Sequence, residues 1–283
     1  MIIGADGQLG SDLVPALNKH TLFPLTYPDF DILNFDQASG MFHDLDPDIV
    51  INTAAYNKVD DGEENPMDAF CLNALAVRHL ARLCAERDKL LVHFSSDYVF
   101  DGKKKSPYTE EDSPVPLNVY GLTKLAGEYF IRGICRRFFI VRTSSLFGLA
   151  GCRGKGYNFV DLLIERHKKG QALRIVDDQR MTPTSTFELA ERVRVLIESD
   201  AYGIYHMSNG GDCTWYEFAG DIFRLLGETP DLLPIASRDY PSRAVRPAYS
   251  VLDHQKAGRA GIPDFSHWKD ALENFMRKKR YIG

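Results

Sequence analysis

The fold class this chain predicts is α/β: a Rossmann-like, doubly wound parallel sheet with a smaller C-terminal lobe. Three observations predict it. Short apolar runs alternate with helical patterns through the first half, and a glycine-rich turn, Gly4-Ala-Asp-Gly7-Gln-Leu-Gly10, stands at the first strand-to-helix junction. After about residue 150 the rhythm changes, yet no composition shift, repeat or low-complexity tract marks a linker. Alternating strands and helices imply a parallel sheet covered on both faces, because parallel strands need crossovers and the crossover helices do the covering. Right-handed crossovers make the doubly wound arrangement the default.

Met1-Ile-Ile is the first strand, three residues where such a central strand usually has about five or six. The GxxGxxG turn then opens a helix over residues 8–18. Glycines at these places allow a tight turn, close backbone approach to a pyrophosphate and close packing of helix on strand. The helix N-terminus adds free N–H groups and the positive end of its dipole. Residues 25–31 contain no base that would select a 2′-phosphate, and Asp29 reads as a turn residue after Pro28, so the choice between NADH and NADPH stays open.

Residues 48–52, 89–94 and 138–142 are strand-like, with a helical pattern over 69–84 between the first two. Beyond them come the glycine-rich stretch 148–156, a helix near 158–169, a strand near 203–207 that returns to the sheet, and Pro/Gly/Asp-rich loops at 209–213 and 228–249. The expected division is a nucleotide-binding domain over 1–150, joined by a segment near 184–208, and a substrate-binding lobe from 151–183 and 209–283. Thr214 followed by Glu217 is a capping-box pattern, and Trp215 reads as core. Arg277-Lys-Lys-Arg280 reads as a solvated helix end that complements the dipole.

Composition excludes several classes. A net charge of −5 leaves no electrostatic footprint for nucleic acid. No apolar run approaches the ~18 residues of a membrane span. Five scattered cysteines without CxxC or CxxH spacing read as reduced packing thiols, so the expectation is a cytoplasmic, soluble protein with no metal site.

Chemistry is concentrated at two places. Val92-His-Phe-Ser-Ser-Asp-Tyr98 ends a strand with hydroxyls at its carboxyl edge, where doubly wound folds bind ligands. Downstream, Tyr120-Gly-Leu-Thr-Lys124 puts a phenol and an ammonium one helical turn apart. The cation stabilises the phenolate, so Tyr120 can exchange a proton with a ketone or alcohol near neutral pH while Ser96 orients the carbonyl. His93 and His206 lie in strand-like runs and read as packed histidines. Asn158 reads equally as an N-cap or a ligand contact, and Arg246, before Pro247, equally as a clamp for phosphate oxygens or one arm of a surface salt bridge.

GxxGxxG, Ser-Ser-Asp and YxxxK together resemble the extended short-chain dehydrogenase/reductase superfamily. Further matches resemble the dTDP-4-dehydrorhamnose reductase family within it: Asn52-Thr-Ala-Ala-Tyr56, Ser96-Asp-Tyr-Val-Phe-Asp-Gly102, Pro116-Leu-Asn-Val-Tyr-Gly-Leu-Thr-Lys124, Arg142-Thr-Ser144, Asn158-Phe-Val160, Pro183-Thr184 and Arg246-Pro247. They run in order along nearly the whole chain.

The resemblance implies NAD(P)H-dependent reduction of the C4 ketone of dTDP-4-dehydro-6-deoxy-L-mannose to dTDP-L-rhamnose by a monomer or homodimer. It implies Ser96, Tyr120 and Lys124 as catalytic residues. Gly4, Gly7, Gln8, Leu9, Asp31, Ile32, Ala54, Ala55 and Tyr56 would hold the cofactor together with Tyr120 and Lys124, and Ser96, Asp97, Asn158 and Arg246 would hold the nucleotide sugar. Three departures stand out: Ser145 where the family has a sugar-packing Trp, Met181 where it has Gly, and Asp12 where some members carry a metal-binding Glu. The rival readings are another nucleotide-sugar reductase or epimerase of the superfamily, and a regulatory subunit resembling the methionine adenosyltransferase β-subunit.

Overall fold

The computed structural model describes residues 1–151 and 156–283; Cys152 and the middle of the 148–156 stretch lie outside the described residues. Six strands form one sheet: β1 (Ile2–Ile3), β2 (Pro24–Leu25), β3 (Ile49–Asn52), β4 (Leu90–Ser96), β5 (Phe138–Thr143) and β6 (Gly203–His206). Their spatial order is β6-β5-β4-β3-β1-β2, and every pairing is parallel. The chain winds outward from β1 to β2, then returns to build the other half from β3. The crevice between β1 and β3 is therefore the topological switch point, where such sheets bind ligands beyond the carboxyl ends of their strands.

Side-chain alternation explains why this sheet is buried on both faces. Ile2, Ile51, Val92 and Val141 face one apolar cluster with the helices Gly10–Ala16 and Thr186–Leu196. Their neighbours Ile3, Val50, Leu91 and Ile140 face a second cluster with the helices Phe35–Leu45 and Ala76–Glu86. A strand apolar at every position, and not every second one, is what a parallel interior requires.

β1 is as short as the sequence suggests, and backbone bonds beyond it extend the ladder. Ile51 donates to the Met1 carbonyl (2.8 Å), Thr53 to that of Ile3 (3.0 Å), and Gly4 to that of Leu25 (2.9 Å). Two helix boundaries differ from the sequence reading. The first helix begins at Gly10, not residue 8, because Gln8 and Leu9 belong to the glycine turn. The 69–84 pattern lies within a run, Pro66–Phe70, Cys71–Leu75 and Ala76–Glu86, whose middle segment is a π-turn that buries Asn73.

The later part of the chain has its own apolar cluster around Phe147, Val160, Phe218, Leu272 and Trp268. It joins the helices Phe159–Lys168, Trp215–Leu226 and Trp268–Lys278 to a parallel pair, Leu173–Val176 with Leu232–Ile235, and an antiparallel pair, Arg180–Met181 with Cys213–Thr214. The capping box forms as read: Glu217 N–H donates to Thr214 Oγ1, and Thr214 N–H to the Glu217 carboxylate. Asp12 accepts from Thr186 Oγ1 at 2.5 Å, tying the first helix to the returning one. No described helix is long and apolar enough to cross a membrane.

Candidate active site

The glycine loop sits at the switch point with no room for side chains. A Cβ on Gly10 would lie 2.2 Å from the Gly4 carbonyl oxygen, and one on Gly4, whose φ is +77°, would lie 2.8 Å from Thr53 Oγ1. The loop backbone thus packs directly against the end of β3, leaving N–H groups and a helix start open to a pyrophosphate. This cradle fits a dinucleotide. Gly10→Ala should abolish coenzyme binding, measured by fluorescence titration; retained affinity would show that the loop does not need its close packing.

The other proposed cofactor contacts divide by burial. Leu9 and Ile32 turn their side chains into the two apolar clusters, leaving only their backbones for a ligand. Asp31 Oδ1 accepts from Leu33 N–H, closing a local turn. Ala54, Ala55 and Tyr56 stay partly exposed at the end of β3. Tyr56 is clamped by Asn73, whose Oδ1 accepts its N–H (2.8 Å) and whose Nδ2 donates to its carbonyl (3.0 Å) and to Thr123 Oγ1 (3.1 Å). Asn73 lies in the π-turn, a feature that recurs at functional sites, and the sequence reading missed it.

Ser96 and Asp97 end β4 in a buried cluster of hydroxyls. Ser96, Ser144 and Ser250 all donate to the Asp97 carboxylate, at 2.9, 2.9 and 2.6 Å. Burial pushes the Asp97 carboxyl up, and the three hydroxyls pull against that. Ser96 Oγ also accepts from Tyr98 N–H, so to donate to a ligand carbonyl its proton must turn from Asp97. Thr143, register partner of Ser96 on β5, holds a buried hydroxyl that has no hydrogen-bond partner among the described residues.

The helix Val119–Ile134 carries Tyr120 and Lys124. Its start is fixed by Asn118, which accepts from Gly121 N–H and donates to the Val245 carbonyl, both at 2.8 Å. A Cβ on Gly121 would lie 2.1 Å from the Tyr98 carbonyl oxygen, so only glycine lets the helix approach the β4 end this closely. The Tyr120 and Tyr98 rings meet edge to face at 5.8 Å. Lys124 is only 2% exposed, and burial lowers its ammonium from 10.5 to about 8, with the Glu128 carboxylate acting in opposition. Its Nζ lies 3.3 Å from His93 Nε2, and His93 Nδ1 lies 3.2 Å from Asn52 Nδ2. His93 is packed as the sequence reading held, but against the very lysine of the YxxxK motif.

Ser96, Asp97, Tyr98, Tyr120 and Ser145 face a cavity of about 630 Å³ between the sheet and the later lobe. Five arginines line it against the single carboxylate of Asp97: Arg166, Arg174, Arg238, Arg243 and Arg246. Of these the sequence reading found only Arg246. Its guanidinium donates to Asp60 at 2.6 and 3.2 Å, while Asp60 also accepts from Ser242 Oγ and from the N–H groups of Arg243 and Ala244. Burial pushes the Asp60 carboxyl up, but these donors outweigh it and hold it well below its usual range. Asp60 thereby staples the 242–246 loop into the cavity wall.

Asn158 is an N-cap: Oδ1 accepts from Asp161 N–H, and Nδ2 donates to the Gly148 carbonyl and Asp161. It is not among the cavity-lining residues, whereas Trp215, read as core, lines the cavity beside Phe159.

Comparisons agree with this geometry. The family model described as "RmlD substrate binding domain" matches residues 1–281. A dTDP-4-dehydrorhamnose reductase of Streptomyces griseus is 36% identical, covering 96% of this chain and 91% of its own. A dTDP-4-keto-6-deoxy-D-glucose reductase of Streptomyces niveus is 34% identical over 96% and 94%. The crystal structure of dTDP-4-dehydrorhamnose reductase from Bacillus anthracis in complex with NADP superposes with a TM-score of 0.93 at 35% identity, covering 98% of each chain. With its glycine cradle at the switch point, Ser96 and Tyr120 on the wall of one cavity and Lys124 buried one turn along the same helix as Tyr120, the chain belongs to the dTDP-4-dehydrorhamnose reductase family.

Proposed function

We propose that the chain reduces the C4 ketone of dTDP-4-dehydro-6-deoxy-L-mannose to dTDP-L-rhamnose with NADPH or NADH. The observation that carries this reading is the placement of Ser96 and Tyr120 on the cavity wall, with Lys124 buried behind Tyr120. With its pyrophosphate in the glycine cradle, a bound NAD(P)H would supply the hydride from its nicotinamide ring. Ser96 turns its hydroxyl from Asp97 to the ketone oxygen, and Tyr120 gives that oxygen its proton. Lys124 stabilises the phenolate left behind. The arginines lining the cavity suit the diphosphate of the nucleotide, and Phe159 and Trp215 add apolar surface to the same lining.

Oxidation of added NADPH or NADH, followed by absorbance with that sugar nucleotide, tests the assignment. Folded protein that binds either coenzyme yet oxidises neither would overturn it. The Streptomyces niveus relative favours a second reading, reduction of dTDP-4-keto-6-deoxy-D-glucose. Parallel assays with the two sugars separate them by kcat/KM.

The rate should also have an alkaline limb near pH 8. Lys124 is charged below about 8 and neutral above, far under the ordinary lysine value of 10.5, so phenolate stabilisation disappears as pH rises through that point. A plateau extending to pH 10 would show that the ammonium is not required. Stability has the opposite slope: the unfolded chain holds this proton up to about 10.5, so folding gains as pH rises between the two values.

A further inference from the structure

Three side chains form a buried line from the cofactor turn to the acid pair, and their hydrogen atoms can be counted. Asn52 on β3 and His93 on β4 are register partners, and both are almost fully buried. Ala54 N–H lies 3.1 Å from Asn52 Oδ1. A backbone N–H can only donate, so the atom facing it is the amide oxygen, and Nδ2, a donor, faces His93 Nδ1. Nδ1 must then accept. A neutral imidazole has one acceptor and one donor, so His93 carries its hydrogen on Nε2, aimed at Lys124 Nζ.

That Nε2–H finds an acceptor only when Lys124 is an uncharged amine. With Lys124 as ammonium, two donors meet at Nε2, or the ring changes tautomer and two donors meet at Nδ1. Turning the Asn52 amide instead strips Ala54 N–H of its acceptor. The first two alternatives leave a fully buried donor unpaired, and the third strands the half-buried Ala54 N–H. Among the described residues, the charged group acting on Lys124 is Glu128, on its own helix, engaged by Arg142 from β5 and Ser95 from β4; the one acting on His93 is Lys124 itself. From β3, the group facing His93 is the neutral Asn52 amide.

We propose that His93, held in the Nε2–H tautomer by Asn52, is a positioning residue that weakens the grip of Lys124 on its proton. The proposal rests on the reading of Tyr120 and Lys124 as the acid pair and gives the lysine a second task. Once Tyr120 Oη has passed its proton to the ketone oxygen, a Lys124 Nζ proton moves to the Tyr120 oxygen. The amine left behind accepts from His93 Nε2–H, and solvent later returns one proton to Nζ. Because the Asn52 amide sets the tautomer through Nδ2 and anchors Ala54 N–H through Oδ1, the acid pair is coupled to the turn that borders the cofactor loop.

Nitrogen-15 NMR of histidine-labelled protein, recorded above the Lys124 titration, reads the tautomer of His93 without recourse to activity. The Nε2–H form is expected, and an Nδ1–H signal overturns the proposal. Asn52→Asp keeps an acceptor for Ala54 N–H and offers a second to Nδ1, so the ring should switch to Nδ1–H and leave a lone pair for the ammonium. His93→Gln likewise offers Lys124 an acceptor. In both variants the alkaline limb of kcat should move upward by about one pH unit, a tenfold change in proton affinity. A wild-type limb in both overturns the proposal. If either variant fails to fold, the wild-type tautomer still decides, and if the chain reduces neither sugar, titration of Lys124 by carbon-13 NMR replaces the rate profile.

Discussion

Tyr120→Phe should reduce kcat by a factor on the order of 10²–10⁴, the usual contribution of a positioned general acid, while coenzyme affinity changes little. The ring survives the substitution, so its edge-to-face contact with Tyr98 and the helix seat at Gly121 are kept. What is lost is one proton at the ketone oxygen. Ser96 cannot replace it, because an aliphatic hydroxyl is a far weaker acid than a phenol and its alkoxide would form beside the Asp97 carboxylate. Lys124 cannot replace it either, being buried behind the cavity wall. The loss should therefore fall on kcat, with KM for the sugar nucleotide within a few-fold of the parent. Turnover within threefold of the parent would remove Tyr120 from the acid role.

This acid pair was legible in the sequence because its geometry is local. Four residues along a helix are one turn, whatever the rest of the chain does. The glycine loop was legible for the same reason, and so were the β-α alternation and the capping box at Thr214 and Glu217. The residues that escaped notice act across long separations. Asn73 reaches Tyr56 and Thr123 from a π-turn, and a helical pattern read at 3.6 residues per turn cannot register the extra residue that turns Asn73 inward.

His93 looked like any apolar-strand histidine, because its partners come from the adjacent strand and from a helix 31 residues further on. The cavity arginines likewise come from helix, strand and loop segments of the later lobe, which lacks a repeating pattern. Asn158 shows the reverse case: the motif was visible, yet both arms of its amide are engaged in ending a loop and starting a helix. Arg246 was visible as well, but its pairing with Asp60, 186 residues away, was not.

Glu128→Ala should be the most destabilising single change near the site. Arg142 is 1% exposed and Glu128 fully buried, and the guanidinium grips both carboxylate oxygens, at 2.9 and 2.7 Å. Ser95 Oγ donates to the same carboxylate. Replacing such a pair by well-packed apolar residues can be neutral, but removing one partner leaves an uncompensated ion in the interior and costs about 3–5 kcal/mol. A chain of this size loses roughly 2–4 °C of Tm per kcal/mol, so the midpoint should fall by on the order of 10 °C. Glu128→Gln keeps one acceptor for Arg142 and should cost less.

The conservative variant also carries the effect into the site. The Glu128 carboxylate raises the Lys124 proton affinity, in opposition to burial. Without its charge, the ammonium is lost at lower pH, and the alkaline limb of the reduction should move below 8, opposite in direction to the shift expected for Asn52→Asp. A Glu128→Ala midpoint within 3 °C of the parent would show that Arg142 finds water or another acceptor when the carboxylate is gone. An unmoved limb in Glu128→Gln would show that the ion pair sets the fold alone and leaves the acid pair untouched.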